Sequence, residues 1–243
     1  MRYLIGNWKM STDNVKADAF LGSMRKSNYP AKIKYGIAVP YVYIAKATQP
    51  LKKSGWLVGA QNVAFAESGA YTGETSAKML ASVGVEFCLI GHSERRSIFG
   101  EDNDTINKKL NRALNNGLIP LLCIGETLDE YNQKSTKRVL GRQLREGLKG
   151  IKSISKLIIA YEPVWAIGTG KVASINDIRT NIEYIKQTIR KIYGENAKVP
   201  VLYGGSVKSS NAKEIFEIKC VDGALVGGAS LDNGEFLAIA KCM

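Results

Sequence analysis

Eight short apolar runs recur along the chain, each closed by glycine, proline or polar residues. They are Tyr3–Trp8, Tyr35–Val39, Trp56–Ala60, Phe87–Ile90, Ile119–Ile124, Leu157–Tyr161, Val199–Tyr203 and Gly223–Val226. Most are continuously apolar rather than alternating, which suits strands buried on both faces, as in a parallel sheet. Between the runs the period lengthens. Ile106, Leu110, Ala113 and Leu114 share one helical face, and Leu140, Leu144 and Leu148 repeat at four-residue spacing. Ile178, Ile182, Ile185, Ile189 and Ile192 form a cleaner stripe. Ser174 and Asp177 before that stripe read as a capping box, and Gly194 and Pro200 close it off.

Strands alternating with helices predict βαβ units. These could close into a barrel or lie in an open doubly wound sheet. An open sheet that binds a dinucleotide wants G-x-G-x-x-G after its first strand. Here the first run leads into Gly6-Asn7-Trp8-Lys9, which is no such loop. The favoured fold class is therefore α/β, an eight-stranded parallel (β/α)8 barrel. The 243 residues suit one such barrel of about 250 residues. No linker, low-complexity tract or break in composition divides them, so residues 1–243 are expected to form a single barrel domain.

Composition narrows the function classes. Hydrophobic residues make up 45% and charged residues 23%, which argues against a disordered chain. The net charge of +12 favours an anionic partner: nucleic acid, membrane lipid or a phosphorylated metabolite. Cys88, Cys123, Cys220 and Cys242 form no C-x-x-C pair, and His92 is the only histidine. That argues for reduced thiols and against a zinc site. No stretch approaches the roughly 18 apolar residues of a membrane span. A cytoplasmic location is expected.

In a parallel β/α barrel the active site lies at the C-terminal ends of the strands. Polar residues there would be Asn7 and Lys9 after the first strand, Gln61 and Asn62 after the third, and His92, Ser93 and Glu94 after the fourth. The fifth delivers Cys123 and Glu126, and the sixth delivers Glu162. Gly204-Gly205-Ser206 and Gly227-Gly228-Ala229-Ser230 follow the last two strands. Glycines there let backbone approach an anion, and β/α barrels often hold a phosphate at this place. Either pair alone would read as a tight turn, whereas both together favour phosphate. Glu162 emerges from a buried strand, where desolvation would strengthen a carboxylate as a base. Spacing alone fits equally well a carboxylate paired with a nearby lysine or arginine. Lys9 in isolation reads as a solvated strand end. His92 precedes a plausible helix start, where partial positive charge favours a neutral imidazole. The apolar stretch after Glu162, bounded by proline and glycines, reads as a lid or as a loop packed on its own barrel. Residues 66–76 form a long loop with an aromatic tip, suited to a protein contact or to disorder.

Taken together, these motifs resemble the triosephosphate isomerase family from end to end. They are Gly6-Asn7-Trp8-Lys9-Met10, Ala60-Gln61-Asn62-Val63, the loop Gly69–Glu74, Gly91-His92-Ser93-Glu94-Arg95-Arg96 and Cys123-Ile124-Gly125-Glu126-Thr127. Ala160-Tyr161-Glu162-Pro163-Val164-Trp165-Ala166-Ile167-Gly168-Thr169-Gly170, Tyr203-Gly204-Gly205-Ser206 and Gly223–Ser230 complete the set. The resemblance implies the TIM barrel fold. It implies interconversion of dihydroxyacetone phosphate and D-glyceraldehyde 3-phosphate, in glycolysis and gluconeogenesis, with no cofactor and no metal. Glu162 would be the base, His92 would polarise the carbonyl, Lys9 would hold the anionic substrate, and Asn7 would orient Lys9 and the substrate oxygens. Glu94 and Ser93 would support these groups from behind. Backbone N–H groups at Gly168, Ser206, Gly227 and Gly228 would grip the phosphate. Pro163, Val164, Trp165, Ala166, Ile167, Gly168, Thr169, Gly170 and Lys171 would be the lid. A homodimer is implied too, with Gly69–Glu74 entering the second subunit, Thr72 reaching its site and Glu74 pairing with the partner's Arg95.

Three positions depart from the family pattern. Tyr131 stands where relatives often have arginine, Ile175 replaces a common proline, and the following helix lacks a histidine that many relatives carry. Two other readings compete. Another enzyme on a phosphate-binding barrel would explain the glycine pairs but not Lys9, His92 and Glu162 together. A binding protein for nucleic acid or membrane would use Lys134, Arg138, Arg142, Arg145 and Lys149 on one helix face. No aromatic residues interleave there, so that face reads as solvated, with neither nucleic acid nor membrane as partner.

Overall fold

The structure is a computed structural model, and it describes residues 1–167 and 172–243. Eight strands hydrogen-bond in chain order into a closed parallel barrel. They are β1 (Arg2–Asn7), β2 (Ile33–Val39), β3 (Leu57–Ala60), β4 (Phe87–Ile90), β5 (Ile119–Ile124), β6 (Ile158–Tyr161), β7 (Val201–Tyr203) and β8 (Gly223–Val226). Closure comes from β8 pairing back on β1, from Tyr3 opposite Gly223 to Gly6 opposite Val226.

Helices α1 (Asn14–Met24), α2 (Ile44–Lys53), α3 (Ala77–Ser82), α4 (Ser93–Ser97) and α5 (Asn103–Asn115) fall between the first five strands. They are followed by α6 (Leu128–Asn132), α7 (Thr136–Gly147), α8 (Ile175–Tyr193), α9 (Ser209–Glu217) and α10 (Asn233–Lys241). Side-chain oxygens start several of them: Asp13, Ser76, Asp102 and Thr127 each accept a backbone N–H of the first turn. Ser174 does the same for α8, but its capping box is only half formed. Asp177 Oδ2 accepts from the Ser174 hydroxyl rather than from its backbone. Gly194 ends α8 at φ 96°, a conformation that suits glycine.

Each strand feeds two cores, which is why its apolar run is continuous. In β4, Phe87 and Leu89 face the barrel interior while Cys88 and Ile90 face the helices, and β5 alternates in the same way. The interior is filled by residues such as Ile5, Leu57, Phe87, Leu121, Ile158, Leu202 and Leu225. Phe87 fits because its neighbours are small. It lies opposite Gly59, whose position leaves no room for a methyl group against the ring. The isoleucine stripe of α8 is buried at Ile178, Ile182, Ile185 and Ile189, but Ile192 is 38% exposed. It falls near the helix end, where the barrel no longer covers it.

Candidate active site

Barrel closure brings the ends of β1, β4, β6, β7 and β8 around one cavity of about 190 Å3. Asn7, Lys9, His92, Glu162, Ser206, Gly227 and Gly228 all line it, as do Gly204 and Gly205. Sequence separations of up to 221 positions thus collapse into one mouth.

Glu162 directly follows β6, and its backbone is knitted into the barrel. Its N–H donates to Ile124 O at 2.7 Å, and the Gly204 N–H donates to Tyr161 O at 2.7 Å. The approach is so close that a Cβ on Gly125 would sit 1.6 Å from Glu162 O, and one on Gly204 would sit 2.8 Å from Glu162 Cγ. Both positions therefore exclude any side chain. The carboxylate is 98% hidden from solvent, since the residue is only 2% exposed. Oε2 accepts the Ser93 N–H at 2.9 Å, while Oε1 lies 3.3 Å from His92 Nε2. Arg96 sits behind this pair, donating to Gly91 O, Cys123 O and Asn103 Oδ1. Burial pushes the Cys123 thiol well above its usual range, and the neighbouring Glu162 adds to the effect.

His92 caps α4. Its Nδ1 accepts the Glu94 N–H at 3.3 Å. An imidazole nitrogen that accepts carries no proton, so the proton of the neutral ring sits on Nε2, the atom facing Glu162.

Lys9 follows β1 with φ at 49°, the left-handed region that lysine rarely adopts. Its backbone is held from both sides. The N–H donates to Asn7 Oδ1 at 3.0 Å, and Gln61 Nε2 donates to the carbonyl at 2.9 Å. Lys9 Nζ reaches Glu94 Oε1 at 2.6 Å, and its stem lies against Gly227. Gly227 and Gly228 lead into the 3-10 turn Gly228–Leu231, which is pinned by Trp8 Nε1 donating to Ser230 O at 3.1 Å.

The remaining rim residues take other places. Asn62 accepts from Lys109 Nζ at 2.7 Å, within a buried cluster with Glu101 and Arg95. Desolvation there lowers the pKa of Lys109. Glu126 is fully buried away from the cavity; its Oε1 accepts from Tyr161 Oη at 3.1 Å and Trp165 Nε1 at 2.9 Å. Burial pushes its carboxyl up, partly offset by these donors. Residues 163–167 continue from Glu162 through a 3-10 turn at Val164–Ala166. Gly168, Thr169, Gly170 and Lys171 lie outside the described residues. In the loop 66–76, turns hold Tyr71 on Gly69 and Glu74 on Tyr71, and Thr72 and Tyr71 are exposed.

One contributor escaped the sequence reading, and of a second only the position was read. Lys208 brings a second cation to the cavity wall; its place two residues past Ser206, in an anion-suited loop, was the available signal. Gln61 was placed on the rim, but its grip on the Lys9 carbonyl is a three-dimensional relation that no spacing reveals. Among the described residues, no three His, Cys, Asp or Glu side chains converge as a metal site requires, and no helix is long and apolar enough to cross a membrane.

A buried carboxylate facing a neutral imidazole, with a lysine beside them at the rim of a closed β/α barrel, is the outfit of a proton-moving enzyme, an isomerase of the barrel class. The family model described as triosephosphate isomerase matches residues 2–243. The triosephosphate isomerase of Moorella thermoacetica is 44% identical over 241 residues, 98% of this chain and 97% of that protein. That of Clostridium botulinum (strain Langeland) is 43% identical over 240 residues, 97% of each chain. A crystal structure of triosephosphate isomerase from Bartonella henselae superposes with a TM-score of 0.91 at 36% identity, covering 99% of this chain and 98% of that one. The chain belongs to the triosephosphate isomerase family, and its reaction is the interconversion of dihydroxyacetone phosphate and D-glyceraldehyde 3-phosphate, a step of glycolysis.

Proposed function

We propose that Glu162, His92, Lys9 and Asn7 carry this reaction, and that the glycine loops after β7 and β8 hold the substrate phosphate. The observation that carries the assignment is the 3.3 Å approach of Glu162 Oε1 to His92 Nε2 at the wall of the cavity. A substrate carbon seated there meets a base, and its neighbouring carbonyl oxygen meets an N–H donor. Glu162 takes the proton from the carbon next to the carbonyl. The freed electron pair forms the enediolate double bond, and charge develops on the carbonyl oxygen. His92 Nε2–H and Lys9 Nζ stabilise that charge. His92 Nε2–H gives its proton to the charged oxygen and takes up the proton of the neighbouring hydroxyl oxygen, so that the carbonyl changes place, and return of the first proton from Glu162 to the adjacent carbon completes the isomerisation. Glu94, bonded to Lys9 and ordering His92 through its N–H, supports both groups, and Ser93 anchors the base between turnovers.

The phosphate sits against the backbone of Ser206, Gly227 and Gly228, with Gly168 completing the grip and Lys208 adding charge. Residues 163–171 cover the site, because an enediolate phosphate in water loses its phosphate. The enzyme works as a homodimer through the loop Gly69–Glu74, which stands out from the barrel with Tyr71 45% exposed beside an apolar groove of about 410 Å3. Its site of action is the cytoplasm, and residues 1–243 act as one domain.

Turnover of D-glyceraldehyde 3-phosphate by wild type and Glu162→Gln tests the assignment. Loss of at least about 10³ in kcat in the variant is expected for removal of the base. Equal turnover in both would overturn it.

A further inference from the structure

One side chain touches both flanks of the segment that joins Glu162 to α8. Tyr131, in the five-residue helix α6, lays its ring against Trp165, with centroids 4.5 Å apart and planes inclined by 34°. Its hydroxyl donates to Asp177 Oδ2 at 3.3 Å, and the same oxygen accepts from Ser174 Oγ, the cap of α8, at 2.7 Å. Trp165 thus stands near the start of the covering segment and Ser174 just past its end, and Tyr131 bridges the two.

The bridge has a firm footing. Thr127 and Glu130 form a full capping box at the start of α6, and Glu130 reaches Arg142 of α7 at 3.6 Å. Trp165 is held on a second edge by Glu126, and the Val164 N–H donates to Glu126 O at 3.0 Å. Any tilt of the indole therefore pulls on Val164, two residues from the base. A ring stacked on an indole contributes about 0.5–1.5 kcal/mol beyond its burial in general, enough to bias where the indole, and with it Val164, sits.

We propose that Tyr131 is a positioning residue of the isomerase reaction: it clamps the two flanks of the covering segment, Trp165 on one side and the Ser174–Asp177 cap on the other. How completely water is excluded from the enediolate depends on that clamp. The inference rests on the reading of residues 163–171 as a cover.

Tyr131→Ala removes ring and hydroxyl, Tyr131→Leu keeps apolar volume, and Tyr131→Phe removes only the bond to Asp177. For each, KM for D-glyceraldehyde 3-phosphate and inorganic phosphate released per isomerisation are measured, with the thermal midpoint alongside. A water-exposed enediolate expels phosphate by cleavage of its carbon–oxygen bond, the electron pair leaving with the phosphate, so the ratio reports exclusion of water. Tyr131→Ala and Tyr131→Leu should raise the ratio about tenfold and KM about threefold, with Tyr131→Phe between them and wild type. Ratios and KM within about twofold of wild type for the Ala and Leu variants would overturn the proposal, even if the thermal midpoint falls, because that is what simple packing predicts. A Tyr131→Phe ratio equal to wild type would overturn the two-flank clamp. Trp165→Ala separates the two readings. If it leaves the ratio unchanged, the cover itself is wrong and the proposal falls with it. If it raises the ratio while the Tyr131 variants do not, only the proposal fails.

Discussion

Gly59→Ala is a severe test of how the barrel interior is built. Gly59 in β3 lies opposite Phe87 in β4. A methyl group at Gly59 would fall 2.1, 2.4 and 2.6 Å from three carbons of the Phe87 ring, where ordinary contact begins at 3.4 Å. The ring must therefore retreat by about 1 Å, a shift that a close-packed interior resists. It has little free space to retreat into, because Phe87 is 1% exposed and packed within the barrel interior. The backbone of Gly59 is not left-handed, so alanine brings no torsional strain and recovers about 0.4–1 kcal/mol by restricting the unfolded chain. Overpacking costs about 1–3 kcal/mol, at the upper end for a rigid ring. The net expectation is a loss of about 2 kcal/mol and a fall in Tm of roughly 4–8 °C for a chain of this size. The decisive arm is Phe87→Leu, which alone costs about 1–2 kcal/mol through the cavity it leaves. In the Gly59→Ala background that cavity receives the methyl group, so the double variant should be more stable than the sum predicts by at least about 1 kcal/mol. Urea unfolding followed by far-UV circular dichroism, at one fixed protomer concentration, reads all four proteins. Additivity within about 0.5 kcal/mol would refute the reasoning, because it would mean the ring and the glycine do not share space.

Three further outcomes follow from the site and its surroundings. Lys9→Met should lower kcat/KM by at least about 10² with an unchanged far-UV spectrum, since it removes a charge aimed at the developing oxyanion; a loss under threefold would place Lys9 outside the chemistry. Glu126 has its carboxyl raised by burial, so the folded state holds this proton more tightly than the unfolded state does. Its contribution to stability is present below the ordinary value of 4.5 and is lost as pH rises through the raised value. The stability of Glu126→Gln relative to wild type should therefore climb with pH over that interval, and a falling difference would contradict the assignment. Cys88, pushed up to about 12, and Cys123, raised further by its carboxylate neighbour, are both buried, so an aromatic disulfide reagent should label only Cys220 and Cys242 in the native protein and all four thiols in urea. Rapid native labelling of a third thiol would count against the packing described around β4 and β5.

The strands were legible because burial on both faces leaves a strong pattern. Phe87–Ile90, Ile119–Ile124 and Gly223–Val226 agree with the observed bounds; the first run is displaced by one residue at both ends, and the others start one or two residues away from the observed strand. At the far side of the barrel, Val199 and Pro200 precede β7 although they continue its apolar run, because proline offers no ladder donor. Helices α5, α7 and α8 showed their faces clearly. Helix α2 did not, because Pro50 stands inside its last turns and reads as a break. The cavity residues were legible once the rim rule was applied, since Asn7 ends β1, Glu162 directly follows β6, and Lys9 and His92 lie two residues past β1 and β4. What stayed hidden was relational: the bond from Gln61 to Lys9, the parking of Glu162 on Ser93, and the contact of Tyr131 with Trp165. Each joins residues from different βα units, and the one-dimensional pattern carries no trace of such pairings.

The left-handed backbone at Lys9 has a consequence for attempts to move this chemistry elsewhere. The conformation is uphill for any residue with a Cβ, by roughly 1–2 kcal/mol, and it is held by the Asn7 and Gln61 side chains acting on the Lys9 main chain. A graft of Asn7, Lys9, His92 and Glu162 onto another barrel would transfer four side chains and leave the torsion behind. The transplanted ammonium would relax toward solvent, and the recipient would look correct in sequence while misdirecting its charge. The smallest portable unit is therefore five residues, with Gln61 travelling alongside although it takes no part in the proton transfers.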